Sequence, residues 1–287
     1  MIWLIGCKGM LGTELSNKIR SSSLEFIESD IDIDIANVDT LRGFAEGKSV
    51  DWIINASAYT AVDKAESEED AAHEINALGV RNIARVAFEI GAKVVHFSTD
   101  YVFDGSKPEA YLESDDVNPI SAYGRTKLEG ERELAANCDK FFIFRISWLY
   151  GIHGANFVKT MVRLFNDKPE LGIVGDQKGA PTYTGVLADN IIQLVKSGSG
   201  SFGVYHYSDE GEISWYDFAV EICRQASSRG LCSSDVILNS ITTEQFPTPA
   251  KRPSYSMLNK SKVKELGFDV LDWKENLKRY FNELENI

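Results

Sequence analysis

The stretch Ile2-Trp-Leu-Ile5-Gly6-Cys-Lys-Gly9-Met-Leu-Gly12 decides the fold of this chain. Its apolar run predicts a buried strand, the three glycines predict a turn, and the amphipathic segment that follows predicts a helix. In such a turn Gly6 permits the tight bend, Gly9 lets a pyrophosphate approach the backbone, and Gly12 lets the helix lie close to the sheet. Free N–H groups at a helix N-terminus favour anions. The stretch therefore predicts a dinucleotide site that includes Gly6, Gly9, Met10, Leu11 and Gly12, with a purely structural turn as the alternative.

Apolar runs continue to alternate with amphipathic segments through the first half of the chain. Strands are predicted at residues 2–5, 24–28, 52–55, 93–97 and 141–146, and helices at 38–45, 67–90 and 122–136. This alternation predicts an α/β fold, a Rossmann-type doubly wound parallel sheet that forms a dinucleotide-binding domain over residues 1–150. Residues 151–287 are expected to form mainly a smaller α/β lobe that binds the substrate. Some segments of this half are expected to return to the first domain.

The composition excludes several classes of function. The chain has 287 residues, 30 Lys plus Arg and 43 Asp plus Glu, and a net charge of −13. Such an acidic chain is not expected to bind nucleic acid or an anionic membrane, and no apolar run approaches the ~18 residues that span a bilayer. The 4 cysteines and 4 histidines show no zinc-like spacing, so we expect no metal site, free thiols and a reducing, cytoplasmic compartment. We expect the N-terminus to begin the first strand and not to be a signal peptide.

Acidic residues follow the second predicted strand. Asp30, or alternatively Asp32, lies where a carboxylate suits the ribose hydroxyls of NAD and repels the extra phosphate of NADP. Lys8 in the glycine turn has the opposite effect. The residues therefore leave NADH and NADPH both open, and a solvated acidic loop is the alternative to a ribose contact.

A tyrosine and a lysine four residues apart form the candidate catalytic pair, Tyr123-Gly-Arg-Thr-Lys127. Positions i and i+4 share one face of a helix, so the ammonium can lie close to the phenol and lower its pKa. Thr99 follows the strand predicted at residues 93–97, at the carboxyl edge of the sheet where ligands bind. A hydroxyl, a phenol and a lysine beside a dinucleotide predict hydride transfer to or from a carbonyl, whereas each residue alone is equally typical of a cap or a surface helix.

With these residues the chain resembles the extended short-chain dehydrogenase/reductases, and among them the family of dTDP-4-dehydrorhamnose reductases. The resemblance covers essentially the whole chain. Besides the glycine turn and the Tyr123–Lys127 pair, it rests on six stretches: Asn55-Ala-Ser-Ala-Tyr-Thr-Ala-Val-Asp-Lys-Ala-Glu66, Ser98-Thr-Asp-Tyr-Val-Phe-Asp-Gly105, Arg145-Ile-Ser-Trp-Leu-Tyr-Gly151, Asn156-Phe-Val-Lys-Thr-Met161, Asp176-Gln-Lys-Gly-Ala-Pro-Thr182 and Lys251-Arg-Pro-Ser-Tyr-Ser256.

The resemblance implies a role for each matching residue. Tyr123 would protonate the C4 oxygen of a nucleotide-sugar ketone, Lys127 would bind the nicotinamide ribose, and Thr99 would orient the carbonyl. The implied cofactor contacts are Asp34, Ile35, Ala58, Tyr59 and Thr60. The implied substrate contacts are Asp100, Trp148 and Arg252, with Gln177 and Thr182 as weaker candidates. The planar fork of Arg252 also suits a diphosphate on physical grounds, and a surface ion pair is its alternative.

Two alternative functions stay open. A dehydratase or epimerase of the same superfamily is disfavoured, because the 4,6-dehydratases place a Glu after the active-site Thr-Asp pair, where this chain has Tyr101. A non-catalytic dinucleotide-binding subunit, similar to the regulatory beta subunit of methionine adenosyltransferase, is the other. Some members of the reductase family dimerise through a metal ion, so the resemblance also admits magnesium and either a monomer or a homodimer.

Overall fold

Short runs of branched and aromatic residues form the strands of the computed structural model, which describes residues 1–286. The strands in chain order are β1 (Ile2–Ile5), β2 (Phe26–Ser29), β3 (Trp52–Asn55), β4 (Lys93–Thr99), β5 (Phe141–Ile146), β6 (Leu149–Tyr150), β7 (Glu170–Val174), β8 (Lys178–Gly179), β9 (Thr182–Tyr183), β10 (Gly203–Tyr207), β11 (Ile213–Ser214) and β12 (Ile237–Ile241). Six of them form one parallel sheet in the order β10-β5-β4-β3-β1-β2.

Several of the α-helices cover both faces of this sheet. In chain order the helices are α1 (Met10–Ser21), α2 (Val38–Ala45), α3 (Glu69–His73), α4 (Val80–Ile90), α5 (Ala122–Asn137), α6 (Phe157–Asp167), α7 (Thr184–Ser197), α8 (Trp215–Ser227), α9 (Ser261–Glu265) and α10 (Trp273–Leu284). Successive side chains of β1 point to opposite faces, so Leu4 packs with α1 and α7 while Trp3 packs with α2 and α4. Both faces are buried, as expected for a parallel sheet.

The strand order changes direction between β1 and β3, which lie side by side although β2 separates them in the chain. In doubly wound sheets the loops that leave the two strands at such a point diverge and open a crevice at the carboxyl edge. The glycine turn follows β1, and residues 56–60 follow β3. The topology thus places two of the predicted cofactor segments next to each other.

A second cluster of elements lies at the carboxyl edge of the sheet. Parallel β7 and β12 form a two-stranded sheet, and α6, α8 and α10 enclose an aromatic core that includes Tyr150, Phe165, Phe218 and Tyr280. From the second half of the chain, α7 and β10 belong to the large sheet and its helical layer. The domain boundary at residue 150 stays a prediction.

The structure confirms the predicted α/β class and corrects several element bounds. The second strand begins at Phe26 and not at residue 24, and β4 continues to Thr99. The helix predicted at residues 67–90 starts at Glu69 and contains a wide π turn, Glu74–Gly79, between α3 and α4. The β7–β12 pair was not predicted. No helix within residues 1–286 is both long enough and apolar enough to span a membrane.

Candidate active site

The glycine turn has the geometry that its spacing predicts. Gly6 adopts φ +79°, and a Cβ atom there would lie 2.6 Å from the backbone nitrogen of Ser57. A Cβ atom on Gly12 would lie 1.9 Å from the carbonyl oxygen of Gly6. A Cβ atom on Gly9 would meet only that same oxygen, at 3.4 Å. Protein packing therefore requires glycine at positions 6 and 12, whereas the space at Gly9 is available to a ligand.

A cavity of about 460 Å³ opens between this turn and the loop after β3. Seven of the predicted cofactor residues line it: Gly6, Gly9, Asp30, Asp34, Ile35, Ala58 and Tyr59. Met10 and Leu11 form the first turn of α1, and Leu11 is buried beneath that helix. Thr60, in contrast, is exposed. In the described part of the chain no side chain caps the N-terminus of α1 at Gly9, so the first N–H groups of this helix are available to an anion.

The acidic loop after β2 is fixed by its own hydrogen bonds. The carboxylate of Asp30 accepts from the backbone N–H of Lys8 at 2.8 Å and from that of Ile31 at 3.0 Å. The carboxylate of Asp32 accepts from the backbone N–H of Asp30 at 2.8 Å. Asp30 thus links the end of β2 to the glycine turn and still lines the cavity. These bonds hold the loop in place but do not select between NADH and NADPH.

The phenol of Tyr123 and the hydroxyl of Thr99 meet at the carboxyl edge of β4. Burial raises the pKa of Tyr123 to about 12, and the contact with the Thr99 side chain opposes the increase. The phenol is therefore protonated at neutral pH, which is the state that a proton donor needs. The ring of Tyr101 contacts that of Tyr123 edge-on, with centroids 5.7 Å apart. Lys127 does not contribute to this shift, so the expected lowering of the tyrosine pKa by Lys127 is not seen in the structure.

Lys127 lies on the same helix, α5, one turn after Tyr123. Its side chain is only 1% exposed, and Nζ donates to the carbonyl oxygen of Phe97 at 2.6 Å. Burial lowers the pKa of Lys127 to about 8, and the negative charge of Glu131 opposes this decrease. The ammonium thus lies in a dry position where its charge depends on a neighbouring carboxylate.

Sequence reasoning missed the network that surrounds this lysine. Glu131 accepts from Arg145 through Nε at 3.0 Å and Nη2 at 2.7 Å, and also from the hydroxyl of Ser98. Both members of the ion pair are nearly buried, with 5% and 6% of their side chains exposed. Two features of the sequence could have indicated it: Glu131 follows Lys127 by four residues, and Arg145 is a charged residue inside the apolar strand β5.

Asp100 lies directly after Thr99 and is 2% exposed. Its Oδ1 accepts from the Thr99 hydroxyl at 3.1 Å. Burial raises the pKa of Asp100 to about 6, and the hydroxyls of Ser256 and Thr99 oppose the increase. The predicted substrate residue therefore adjoins the reacting groups.

A second cavity, of about 360 Å³, lies in the other lobe. Its walls are mainly apolar side chains of α6, β7 and Trp215, and its polar lining includes Gln177, Thr248 and Arg252. Trp148 stacks on Trp215 with ring centroids 3.8 Å apart. Its backbone has φ +47°, a left-handed conformation that costs an L-residue energy. Such a cavity suits a planar ring, and the strained backbone holds an indole beside it.

The other predicted residues of this region have different surroundings. Gln177 donates to the hydroxyl of Thr243 at 3.1 Å. Thr182 is fully buried in β9. Arg252 forms a two-pronged ion pair with Asp63, with N–O distances of 3.0 and 2.9 Å, so the ion-pair alternative is present together with the cavity position.

Neighbouring aromatic rings link Tyr123 to both cavities. Tyr59, which lines the first cavity, packs with Tyr123 against the same three alanines, Ala65, Ala72 and Ala122. Tyr123 also contacts Tyr101, whose hydroxyl interacts with Arg252 of the second cavity. The candidate proton donor thus has one aromatic neighbour toward each cavity.

The residues do not provide a magnesium site. Residues 1–286 contain no cluster of three or more His, Cys, Asp or Glu side chains that could hold a metal ion. Within residues 1–286 the implied magnesium ion thus finds no such cluster on a single chain, and no chemical step is assigned to it.

Comparisons with known proteins agree with this architecture. A family model described as the RmlD substrate binding domain matches residues 1–286. The chain is 40% identical over 296 residues to a dTDP-4-dehydrorhamnose reductase of Escherichia coli, covering 99% of this chain and 97% of the relative. A crystal structure of a dTDP-4-dehydrorhamnose reductase from Clostridium acetobutylicum superimposes with a TM-score of 0.93 at 43% identity, covering 99% of each chain.

A third comparison includes a cofactor. The Bacillus anthracis dTDP-4-dehydrorhamnose reductase in complex with NADP superimposes with a TM-score of 0.91 at 38% identity, covering 98% of each chain. The full-length match and the fold together show that this chain belongs to the RmlD substrate binding domain family.

Proposed function

We propose that this chain is an NAD(P)H-dependent oxidoreductase that reduces the C4 keto group of dTDP-4-dehydro-L-rhamnose to give dTDP-L-rhamnose. The observation that supports this most directly is that Tyr123 lies beside Thr99 and is linked through Tyr59 to the cavity at the glycine turn and through Tyr101 to the cavity that Arg252 lines. Relatives at about 40% identity across the whole chain are named for this reduction.

Each catalytic residue has a task that its position allows. The cofactor, when bound, supplies a hydride to C4. The Thr99 hydroxyl orients the carbonyl, and the protonated phenol of Tyr123 gives its proton to the O4 oxygen as charge develops there. The electron pair of the broken O–H bond stays on the phenolate, which the ammonium of Lys127 stabilises. The ketone thus gains a hydride at C4 and a proton at O4 to become the alcohol, while the cofactor is oxidised and Tyr123 is left as tyrosinate.

The cofactor would lie along the first cavity. Its pyrophosphate would meet the backbone N–H groups of Met10 and Leu11 beside Gly9, since a helix N-terminus favours anions. Asp34 and Ile35 would contact the adenine, and Ala58 and Tyr59 would cover the cofactor. The relative from Bacillus anthracis holds NADP, whereas Asp30 favours NADH, so we propose that either coenzyme serves.

The substrate would occupy the second cavity. Trp148 and Trp215 would contact the planar base, Arg252 the diphosphate, and Asp100 a sugar hydroxyl. We place the reaction in the cytoplasm, where the four free thiols would stay reduced. Size-exclusion chromatography with light scattering separates the monomer from the homodimer.

The test is NADPH and NADH oxidation with the 4-keto sugar, followed by product analysis. We expect loss of absorbance at the nicotinamide band and formation of dTDP-L-rhamnose. A regulatory binding subunit would leave the absorbance unchanged, and an epimerase would release a keto sugar without net oxidation. Tyr123→Phe should nearly abolish turnover and leave cofactor affinity largely intact, and near-normal turnover would remove Tyr123 as the proton donor.

A further inference from the structure

One segment of the second half reaches across the cleft to both lobes. We call residues 246–256 the crossing segment. Within it, Ser254 accepts at its carbonyl from the N–H of Lys178 on β8 at 2.8 Å, and its hydroxyl donates to the carbonyl oxygen of Gly105 at 3.1 Å. The loop after β4, which contains Gly105, belongs to the cofactor side. The crossing segment is thus held by both walls of the site.

The strongest charged link in this segment is the pair between Arg252 and Asp63. Nη1 of Arg252 lies 3.0 Å from Oδ1 of Asp63, and Nη2 lies 2.9 Å from Oδ2. The N–H of Ala250 adds a third hydrogen bond to Oδ1, at 3.2 Å. Asp63 belongs to the loop after β3, so the pair joins the cofactor loop to the substrate cavity that Arg252 lines.

In this pair the carboxylate of Asp63 occupies Arg252 in the way that a substrate phosphate would. The planar guanidinium group can bind either a carboxylate or a phosphate through two parallel N–H···O hydrogen bonds. Nη1 is already shared among Asp63, the hydroxyl of Thr248 and the carbonyl of Ala250. A diphosphate that approaches the Nη1–Nη2 edge of Arg252 therefore competes with Asp63 for these donors.

Such an exchange is feasible because the pair is accessible. The side chain of Asp63 is 40% exposed and that of Arg252 is 23% exposed. Partly exposed pairs are weak, and charge-assisted bonds to a phosphate are stronger. A nucleoside diphosphate can thus displace the carboxylate, but part of its binding free energy is lost in doing so.

We propose that Asp63 is an internal competitor that occupies Arg252 until a substrate phosphate displaces it, and that Asp63 thereby limits the affinity for nucleoside diphosphates. This inference rests on the proposed function, which supplies the diphosphate. It assigns Asp63 as a specificity-determining residue that never contacts the reacting carbonyl.

The test uses calorimetric binding of thymidine diphosphate and of thymidine to the full chain. Asp63→Asn keeps the shape and can still accept from Ala250, but it removes the competing charge. We expect this variant to bind thymidine diphosphate about two- to fivefold more tightly, with thymidine binding unchanged. Arg252→Ala should weaken thymidine diphosphate binding by about tenfold or more and leave thymidine binding unchanged.

A matched pair elsewhere provides the control. Arg42 and Glu89 form an equally two-pronged pair on the outer face of α2 and α4, at 2.9 and 2.6 Å. Glu89→Gln should change neither affinity. Thermal unfolding of each variant identifies any loss of fold.

The outcomes separate this proposal from the reductase assignment. Unchanged or weaker thymidine diphosphate binding by a folded Asp63→Asn variant would overturn the competitor role, and the 4-keto sugar assay would still stand. Equal effects of Arg252→Ala on both ligands would also overturn it, because the arginine would then only join the lobes. Failure of the wild-type chain both to bind thymidine diphosphate and to oxidise NADPH with the keto sugar would remove the proposed function itself.

Discussion

Glu131→Gln tests whether the buried carboxylate of Glu131 both stabilises the fold and keeps Lys127 in its ammonium form. The substitution leaves the guanidinium of Arg145 without its counter-charge, in a position where only 6% of the arginine side chain is exposed. Removing one partner of such a pair costs about 3–5 kcal/mol. Total stability is typically about 5–15 kcal/mol, so the variant should remain folded at 25 °C with a much lower free energy of unfolding.

The same substitution should shift the pH dependence of activity. Burial lowers the pKa of Lys127 to about 8 while Glu131 opposes that decrease, so loss of the carboxylate lowers the pKa further. With Cβ atoms about 6 Å apart and an effective dielectric constant of about 20, the shift is at most about two pKa units. If the ammonium form of Lys127 is the active one, the alkaline limb of kcat/KM moves to lower pH.

Urea unfolding and a pH–rate profile measure the two effects. Glu89→Gln is the matched control, because its pair with Arg42 is 43% and 47% exposed and should change stability by less than about 1 kcal/mol. The double variant Glu131→Gln with Arg145→Met should recover part of the lost stability. A Glu131→Gln variant that loses under about 1 kcal/mol and keeps its alkaline limb would refute this reasoning.

Three further substitutions test other parts of the structure. Lys127→Ala should weaken both NADPH binding, followed by fluorescence, and turnover, and unchanged values for both would contradict its role. Gly12→Ala should reduce NADPH affinity more than tenfold, since the new Cβ would lie 1.9 Å from the carbonyl oxygen of Gly6. The control Gly43→Ala has nothing within 4 Å of the new Cβ, so it should leave the affinity unchanged and stabilise the fold by at most about 0.5–1 kcal/mol. Equal NADPH affinities in the two variants would count against the role of the turn. Burial raises the pKa of Asp209 to about 8, so the native state keeps a proton that the unfolded state loses near pH 4. The free energy of unfolding should therefore fall as the pH rises from about 4 to about 8, by at most about 1.4 kcal/mol per pH unit. Asp209→Asn should flatten this dependence in urea unfolding, and a slope equal to that of the wild type would exclude Asp209 as its source.

Much of the sheet was predictable from the sequence because its signals are local. The bounds predicted for strands 52–55 and 141–146 and for helix 38–45 are those of the structure. The β7–β12 pair was missed because its strands have exposed positions and lack a clear period of two, and their pairing joins segments far apart in the chain. Long-range pairing leaves little trace in a single sequence.

The site shows the same division. The glycine turn and the Tyr123–Lys127 spacing are local patterns, and the structure places both at the carboxyl edge as expected. The partner of Arg252 was not predictable, since Asp63 resembles an ordinary surface carboxylate until the fold brings it beside the guanidinium. Glu131 and Arg145 left a trace in the sequence, but only the fold shows that the two charges meet. Sequence patterns named the candidate reacting groups, and only the fold showed which charged residues lie beside them.

The π turn at Glu74–Gly79 holds one residue more than a turn of a regular α-helix. Within it the side chain of Asn76 holds both backbone polar groups of Tyr59, at 2.9 and 3.1 Å. Deletion of one residue from this turn would therefore convert it to a regular α-helix and leave Ala72 and Val80 facing the protein interior. We expect the fold to accept such a deletion when Asn76 is kept, and the loop at Tyr59 to lose its anchor when Asn76 is the residue deleted.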